Sequence, residues 1–449
     1  MKRLIGTKQF YKETTMIALP IMAQQFITAF VSLIDNIMIG SVGGIALTSV
    51  TVANKIYILY NSTLFGFCGA AGIYLSQYLG AKKEDKCQEV FDTCMSFCLL
   101  IGILFVSILF ICPEFIVHFF TTTPEIVNES LAYIEYAKFS YLPYGISFCC
   151  MMSMRCVGIT KLQLKVGSVA VLTNTFFNYC FIFGNFGFPE LGVQGAAIAT
   201  VIARCVEMII YVIALIRAKH FFCLDVKKIV RFNKDLVQRI FHKAAPLTVN
   251  EIFFSLGQAA IYISYMRCDE YLAASISVVD TVVQILFIIF AGLSSAVSIM
   301  IGKRLGAGEL KEAKDNAIKL LFFGWIVAII LCSINFVAAA YIPYAYNLDL
   351  VVQETITILL RVKGILLIFY VINVCVFFIL RAGGDIVSTL LLDSGFLWAG
   401  GVFVSTMLSM FTGLPLVTLY MIVEGLDIIK MFAAIYFFQK GRWIKNITE

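Results

Sequence analysis

Charged residues are scarce in this sequence. Asp, Glu, Lys and Arg make up only 14% of its 449 residues, and 60% are hydrophobic, whereas a soluble domain carries about 25% charged residues. Only three histidines are present, and none has the spacing of a metal site. The composition excludes an ordinary soluble protein and indicates a polytopic membrane protein.

Several chemical motifs are also missing. No Walker A sequence occurs, which argues against ATP-driven transport by this chain alone, and no nucleophile–base motif stands out, so we expect no enzyme activity. The 14 cysteines contain no CxxC pair. We therefore expect no disulfide framework and interpret these cysteines as small apolar fillers: Cys68, Cys94, Cys98, Cys180, Cys332 and Cys375.

The N-terminal region gives no sign of a targeting segment. It is polar and basic, and the first apolar run is too long for the core of a signal peptide, so we expect none. The net charge of +6 comes from loop Lys and Arg residues. We therefore attribute this positive charge to the membrane topology, and we expect no nucleic-acid partner.

Long apolar segments dominate the chain. A membrane-spanning helix needs about 20 apolar residues at 1.5 Å rise each. We predict twelve spans: 14–39, 48–78, 90–112, 130–154, 164–184, 191–216, 237–265, 271–301, 317–342, 352–380, 386–411 and 416–438. The predicted fold class is an all-α polytopic membrane protein.

Basic residues concentrate in alternate loops, as the positive-inside rule requires if the N-terminus is cytoplasmic. Most of the 34 Lys and Arg residues then lie in the cytoplasmic segments: 1–13, 79–89, 155–165, 217–243, 302–319, 381–385 and 439–449. The opposite loops hold mainly acids. We predict a multi-pass protein of the inner cell membrane with both termini in the cytoplasm.

The second half of the sequence repeats the first. A single ungapped shift aligns Pro20 with Pro246 and the Leu-Gly-Ala triplet at 79–81 with the one at 305–307. Each half has six predicted spans, so both halves point the same way. This pattern predicts two six-helix lobes related by a pseudo-two-fold axis along the membrane normal.

The repeat also sets the predicted domain boundaries. We expect an N-lobe at 1–216, a basic cytoplasmic linker at 217–236 and a C-lobe at 237–449. The segment 217–243 is basic and partly amphipathic. We interpret it as a linker, and the alternative is a segment that lies on an anionic leaflet.

Two residues in the first span break its apolar pattern. Pro20 removes a backbone hydrogen bond and bends a helix. Asp35 places a carboxylate in or near hydrocarbon, which costs roughly 2.5–3.5 kcal/mol on insertion scales, so such a group usually faces protein or water. A coupled transporter could use this pair. The alternative is an interfacial Asp close to the end of the span.

Several longer motifs resemble one transporter family. ALPIMAQQF, LIDNIMIG, YLSQYLGAKKEDK, NTFFNYCFIFG and PELGVQGAAIAT lie in the first half, and APLTVNE and LRAGGD lie in the second. Together they resemble the MATE family of multidrug and toxic compound extrusion transporters, in particular its prokaryotic DNA-damage-inducible protein F branch. The resemblance covers nearly the whole chain in the right order.

The resemblance implies a function and a site. It implies export of mostly cationic or amphipathic organic compounds, driven by inward flow of H+ or Na+. The coupling site would lie in the N-lobe at Asp35, Asn174, Asn178 and Thr200, with the helix bend at Pro20. Some relatives have an acid where this chain has Asn178. The oxygens of Asp35, Asn174 and Asn178 could still bind Na+, or Asp35 could carry a proton.

Other intramembrane acids are secondary candidates for coupling or for substrate binding in the C-lobe: Glu251, Asp280 and Glu424. Glu251 falls near the middle of its span, where an acid would attract a cation or carry a proton, and the alternative is a structural ion pair. Glu424 has no evident local partner, and Asp393 stands alone on its span. Arg204 and Glu207 are three apart and should pair.

Two other functions compete with antiport. A lipid-linked oligosaccharide flippase of the same superfamily tends to have extra helices or a basic central cavity, and this chain has few intramembrane cations. A non-transporting membrane sensor would not need acids in both lobes. We expect small organic substrates and the lipid bilayer as partners, no cofactor apart from the coupling ion, and a monomer.

Overall fold

A computed structural model describes residues 4–218, 222, 234–345 and 349–448. The described part of the first half forms eight helices: α1 Lys8–Val42, α2 Gly44–Gly80, α3 Glu84–Ile111, α4 Pro113–Phe120, α5 Pro124–Ala137, α6 Tyr141–Cys156, α7 Thr160–Phe183 and α8 Gly192–Ala218. The second half continues with six: α9 Lys234–Cys268, α10 Glu270–Gly306, α11 Leu310–Ala338, α12 Leu350–Ala382, α13 Ile386–Phe411 and α14 Leu416–Lys440.

The helix boundaries repeat between the halves. The shift that aligns Pro20 with Pro246 also aligns both ends of α1 with both ends of α9, and both ends of α2 with both ends of α10. The duplication that the sequence predicted therefore holds for secondary structure as well. The halves differ at the fourth span, where a 3-10 turn at Lys138–Ser140 separates α5 from α6. Pro143 follows in the first turn of α6, where a missing N–H is tolerated.

Nine helices in the described ranges are long and apolar enough to cross a membrane. They correspond to nine of the twelve predicted spans. The other three spans fall on α5 with α6, on α9 and on α14. Helix α14 carries three charged residues at three-residue intervals, Glu424, Asp427 and Lys430. Such charges need partners inside the protein if α14 crosses the bilayer.

The chain forms two compact units. One, which we call the N-unit, comprises Pro20–Leu75 and Lys83–Thr248. In it α8 packs against α5, α6 and α7, and α3 packs against α6. The other, the C-unit, comprises Met1–Leu19, Ser76–Lys82 and Val249–Glu449. Its central helix is α12, which packs against α10, α11 and α14. Most of the predicted linker 217–236 lies outside the described residues, and the predicted domain boundaries stay a prediction.

The C-unit includes the ends of the first two helices. Thr14 of α1 donates to Met300 Sδ at 3.4 Å, and Gln77 of α2 donates to the Ala382 carbonyl at 3.0 Å. Two repeat-equivalent glycines make the contact close: a Cβ on Gly80 would lie 2.0 Å from the Lys303 carbonyl oxygen, and one on Gly306 would lie 1.8 Å from that of Gln77. Only glycine permits this approach of backbones.

Candidate coupling site

The carboxylate of Asp35 is held by two amides from another helix. Asn178 Nδ2 donates to Asp35 Oδ1 at 2.8 Å. The Asn174 amide is assigned the orientation in which both its oxygen and its nitrogen have suitable hydrogen-bond partners. In this orientation its nitrogen lies 3.1 Å from Oδ1 and 2.8 Å from Oδ2 of Asp35. The structure thus brings together three of the four residues predicted for N-lobe coupling.

Helix geometry explains why the two amides act together. Asn174 and Asn178 are four residues apart on α7, so their side chains lie on one face of the helix. Asp35 lies in α1, which continues to Val42. The acid is therefore inside the helix and half-buried, not in the following loop.

Asn178 carries a buried oxygen with no partner. The residue is 2% exposed, and its Oδ1 accepts no hydrogen bond from the described residues. An unpaired buried acceptor costs free energy unless another group or ion satisfies it. Together with the Asp35 carboxylate, it gives the oxygen-rich donor set that hard cations prefer. The residues present therefore fit a small cation as well as a proton.

The fourth predicted residue, Thr200, is not among the residues that donate a described hydrogen bond to Asp35. Its hydroxyl donates to the Ala196 carbonyl of its own helix at 2.9 Å. The phenol of Tyr133, on α5, lies close enough to interact with Thr200 and, electrostatically, with Asp35. Tyr133 is buried. The sequence analysis did not select it, because a tyrosine in an apolar span is common.

A positively charged side chain, that of Arg204, also lies near this site. Arg204 of α8 pairs with Glu207 at 2.7 Å, which confirms the predicted pair. Its guanidinium lies over the Tyr144 ring at 4.6 Å from the ring centre, and it contacts the Tyr57 hydroxyl at 3.5 Å. Arg204 acts electrostatically on Asp35. The site thus combines an acid held by amides with a nearby arginine that already has an acidic partner.

Pro20 lies inside α1, and the helix is continuous from Lys8 to Val42 through it. A proline there cannot donate the backbone hydrogen bond to the residue four positions earlier. The division between the two compact units also falls here, between Leu19 and Pro20. The predicted role of Pro20 as a bend that responds to the ion stays a prediction.

Two of the three secondary candidates form ion pairs in the C-unit. Glu251 accepts from Arg381 at 3.2 Å, and Glu424 pairs with Lys363 of α12. Asp280 is exposed, and Lys363 and Glu424 are the charges that act on it. Glu424 has no evident local partner in the sequence, and the structure supplies one from a different helix, Lys363 of α12.

Asp393 is not isolated. Asn250 Nδ2 donates to Asp393 Oδ2 at 2.8 Å, and Lys430 of α14 approaches Asp393 Oδ1 at 3.7 Å. Ser394 also donates to the Asn250 side-chain oxygen at 2.6 Å. Asp393 lies in a π-helical stretch of α13, Leu391–Gly395. Such widened turns re-aim side chains and are frequent at functional sites.

Lys363 was the clearest signal that the sequence analysis left unused. It is a lysine within the predicted span 352–380, and an intramembrane lysine needs an acidic partner. Spacing along the chain did not identify Glu424 as the partner of Lys363, because the two residues are 61 positions apart.

Comparisons with known proteins identify the family. The model of the MatE family matches residues 20–180 and 246–393, which covers most of both halves. The chain belongs to the MatE family. The resemblance that the motifs indicated is thereby confirmed.

Named relatives of this MatE protein come from bacteria. It is 23% identical to the probable multidrug resistance protein YoeA of Bacillus subtilis, over 90% of this chain and 88% of the relative. It is 25% identical to the probable multidrug resistance protein NorM of Listeria innocua, over 72% and 71% of the two chains.

A solved structure supports the fold. A multidrug resistance transporter of the MATE family, captured in an outward-facing conformation, superimposes with a TM-score of 0.85. The alignment covers 98% of this chain and 96% of the other at 16% identity. The predicted MatE fold, with twelve membrane helices in two six-helix lobes, is confirmed. The assignment to one branch of the family stays a prediction.

Proposed function

We propose that this chain is a secondary multidrug efflux transporter that exports organic compounds in antiport with H+ or Na+ by alternating access. Family membership and relatives that carry the name of multidrug resistance proteins support multidrug efflux. The same comparisons favour efflux over the flippase alternative, because none of the relatives named above is called a flippase.

One observation carries the coupling proposal. The Asp35 carboxylate is contacted only by amides among the hydrogen bonds described for it, and it is not in an ion pair among the described residues. A carboxylate without a permanent counter-ion can take up and release a cation. Two of the candidate acids of the C-unit, Glu251 and Glu424, are by contrast already paired with Arg381 and Lys363.

The arrangement supports either coupling ion. Na+ would be held by the carboxylate oxygens of Asp35 and by the amide oxygens of Asn174 and Asn178 once these two amides turn their oxygens toward it, and it would supply the positive charge that the site lacks. Alternatively a proton would bind Asp35 itself. Binding of either ion neutralises a charge between α1 and α7, and we propose that this changes the preferred geometry of α1 around Pro20.

The test is export of a fluorescent organic cation from cells or everted vesicles with Na+ and pH gradients imposed separately. Asp35→Asn keeps the shape of the side chain but removes its charge. We expect it to abolish gradient-driven export while the protein still inserts and folds. Glu129→Gln is the matched control, because Glu129 is an exposed acid outside the site.

The outcomes separate the alternatives. Export by the native protein that follows Na+ at fixed pH identifies a sodium site, and export that follows pH alone identifies a proton carrier. Normal gradient-driven export by Asp35→Asn would exclude this site as the coupling site. Glu251→Gln, Asp280→Asn and Glu424→Gln in the same assay then test the C-unit acids.

Several further properties belong to the same proposal. We propose that the protein lies in the inner cell membrane with both termini in the cytoplasm, acts as a monomer on small organic substrates, and needs no cofactor and no nucleic acid. Accumulation of lipid-linked sugars on deletion of the gene, without a change in dye export, would instead support a flippase.

A further inference from the structure

A second polar contact joins α1 to α7, and we call it the glutamine contact. Gln163 Nε2 donates to Gln24 Oε1 at 2.8 Å. Arg155 Nε, from α6, donates to the oxygen of the same Gln163 amide at 3.2 Å. Gln163 is only 1% exposed, so both ends of its amide need partners. The glutamine contact therefore attaches the start of α7 to α1 one helical turn after Pro20.

The two helices also pack closely at this contact. Gly167 lies one turn after Gln163 on α7, and a Cβ on it would lie 3.0 Å from Gln24 Cγ. That distance is shorter than ordinary van der Waals contact, so a larger residue would push the Gln24 side chain away. The hydrogen bond is thus accompanied by a tight steric fit.

The glutamine contact and the contact at Asp35 have the same spacing on both helices. Eleven residues separate Gln24 from Asp35 on α1, and eleven separate Gln163 from Asn174 on α7. Eleven residues make about three helical turns, so the two contacts lie on one face of each helix, about 16 Å apart along the axis. The helices therefore run in the same direction and meet along one seam at two levels.

The two levels of the seam respond differently to a bound ion. Glutamine amides do not titrate and Arg155 stays protonated, so neutralising Asp35 leaves the glutamine contact unchanged. The hydrogen bonds at Asp35 are made to a charged group, and such bonds are roughly twice as strong as neutral ones. A proton or Na+ at Asp35 removes this advantage. The coupling ion therefore loosens one level of the seam and leaves the other in place.

The second half of the chain has a contact equivalent to the glutamine contact. Gln24 aligns with Asn250, which likewise lies one turn after a proline, Pro246. Asn250 joins α9 to α13, because it donates to Asp393 at 2.8 Å and accepts from the Ser394 hydroxyl at 2.6 Å. Both halves therefore tie their first span to their fifth at the same level.

The halves differ at the level of Asp35. The equivalent residue in the second half is Ile261, and it packs against Gly401, where a Cβ would lie 3.0 Å from the Ile261 side chain. This contact is apolar, so a cation cannot change its strength by neutralising a charge. A fixed contact is thus common to both halves, and the first half adds a contact that an ion can loosen.

We propose that Gln24 and Gln163 are positioning residues, which hold α1 to α7 while the ion binds and leaves at Asp35. The proposal rests on the coupling function proposed above for Asp35. With one level of the seam held and the other released, α1 turns about the glutamine contact, and the change in geometry is concentrated in the adjacent turn at Pro20. Without the glutamine contact, neutralising Asp35 would free α1 at both levels and would not be transmitted to Pro20.

The first test measures transport of a fluorescent organic cation by the full-length protein in proteoliposomes. In Gln24→Ala and Gln163→Ala the maximal rate should fall by about tenfold, since the conformational step is impaired. The ion concentration that gives half-maximal transport should change by less than about twofold, because the groups at Asp35 are intact. The double variant should be no slower than either single one, because both changes remove the same contact.

Gln25→Ala is the matched control. It changes the same type of residue at the next position of α1, about 100° around the helix from Gln24, and should leave the maximal rate unchanged. Native rates per folded molecule in both single variants would overturn the proposal, even if their unfolding temperatures fell. A shift in ion dependence without a loss of rate would also overturn it, because it would place the glutamines in the ion site.

The second test needs neither transport nor a glutamine variant. Hydrogen exchange of the native protein is compared with that of Asp35→Asn in detergent, by mass spectrometry. Exchange should rise in α1 around Asp35 and Pro20, and it should stay the same at the start of α7, residues 160–167. Equal loss of protection at both levels of the seam would overturn the proposal. Normal export by Asp35→Asn would instead overturn the coupling function, so the two failures can be distinguished.

Discussion

At the scale of single residues, the chemistry of the N-unit depends on what faces the Asp35 carboxylate. Its hydrogen-bond donors are amides, which stabilise a negative charge without neutralising it. In the C-unit, by contrast, Lys363 and Arg381 pair with Glu424 and Glu251. Breaking a buried pair leaves an uncompensated charge, so these acids are the less suitable ones for repeated binding and release of an ion.

Asn178→Ala tests the amide directly. The change removes a donor at 2.8 Å from Asp35 and the buried oxygen beside it. A hydrogen bond to a charged group is worth about 1.5–3 kcal/mol, which corresponds to roughly a 10- to 150-fold change in binding. The measurement is the Na+ or H+ concentration that gives half-maximal export.

The direction of the change identifies the ion. A sodium site loses a ligand, so the Na+ concentration that gives half-maximal export should rise roughly tenfold or more. A proton site loses a group that stabilises the charged carboxylate, so half-maximal export should move to higher pH. Asn185→Ala, which changes a partly exposed asparagine just after α7, is the control. An unchanged ion dependence would remove Asn178 from the site.

At the scale of helices, α1 carries Asp35, the acid of the candidate coupling site, and contributes residues to both units. Its first part, up to Leu19, belongs to the C-unit, and the part that carries Asp35 belongs to the N-unit. Pro20 stands at this division and lacks the backbone donor that would stiffen the helix. The position combines a weak point in the helix with a change of packing partners, which is what a hinge requires.

Pro20→Ala should restore the missing backbone hydrogen bond and stiffen α1. We expect slower export, by about tenfold if conformational change limits the rate, with equal or higher thermal stability. Pro246→Ala, at the repeat-equivalent position of α9, is the matched control because α9 carries no acid equivalent to Asp35. Full export by Pro20→Ala would show that the proline is not a hinge.

The ends of α2 and α10 meet through glycine. Valine at Gly306 would place its Cβ 1.8 Å from the Gln77 carbonyl oxygen, and the backbone cannot move aside cheaply. Gly306→Val should therefore lower stability by about 1–3 kcal/mol or more, seen as a lower unfolding temperature of the purified protein.

Gly413→Val is the control for that substitution. A Cβ at Gly413 meets nothing within 4 Å, so the same change in residue type should alter the unfolding temperature little. Equal stability of the native protein and Gly306→Val would mean that the close contact between α2 and α10 does not contribute to folding.

At the scale of the whole molecule, an antiporter couples two binding events through one protein. If the coupling ion and the exported compound favour different conformations, each changes the affinity of the other by the same factor. Typical coupling free energies of about 1–3 kcal/mol correspond to factors of roughly 5 to 150. The coupling is therefore large enough to measure in detergent, without a membrane gradient.

We predict that saturating coupling ion weakens binding of a fluorescent organic cation by a factor in this range, and that the compound weakens ion binding by the same factor. In Asp35→Asn the two affinities should become independent. The measurement is a pair of titrations, each with and without the other ligand. If neither affinity of the native protein changed when the other ligand was present, coupled antiport would be contradicted.

Sequence patterns were sufficient to predict the class of protein, the repeat and three residues, Asp35, Asn174 and Asn178, that the structure brings together. Long apolar runs set the spans, because only a helix satisfies every backbone group in lipid. The internal repeat predicted helix boundaries that recur in the structure of both halves. Asn174 and Asn178 could be linked to each other by helical spacing, and to Asp35 through the family motifs.

The packed structure was needed to establish which helices face each other. Asp393 pairs with Asn250 and Lys430, Glu424 with Lys363, and Cys94 meets Cys68. In a soluble protein the apolar face of a helix points to the core, but membrane helices are apolar on nearly every side. The pattern along one helix therefore does not reveal its neighbours, and partners far apart in the chain become known only once the helices are packed.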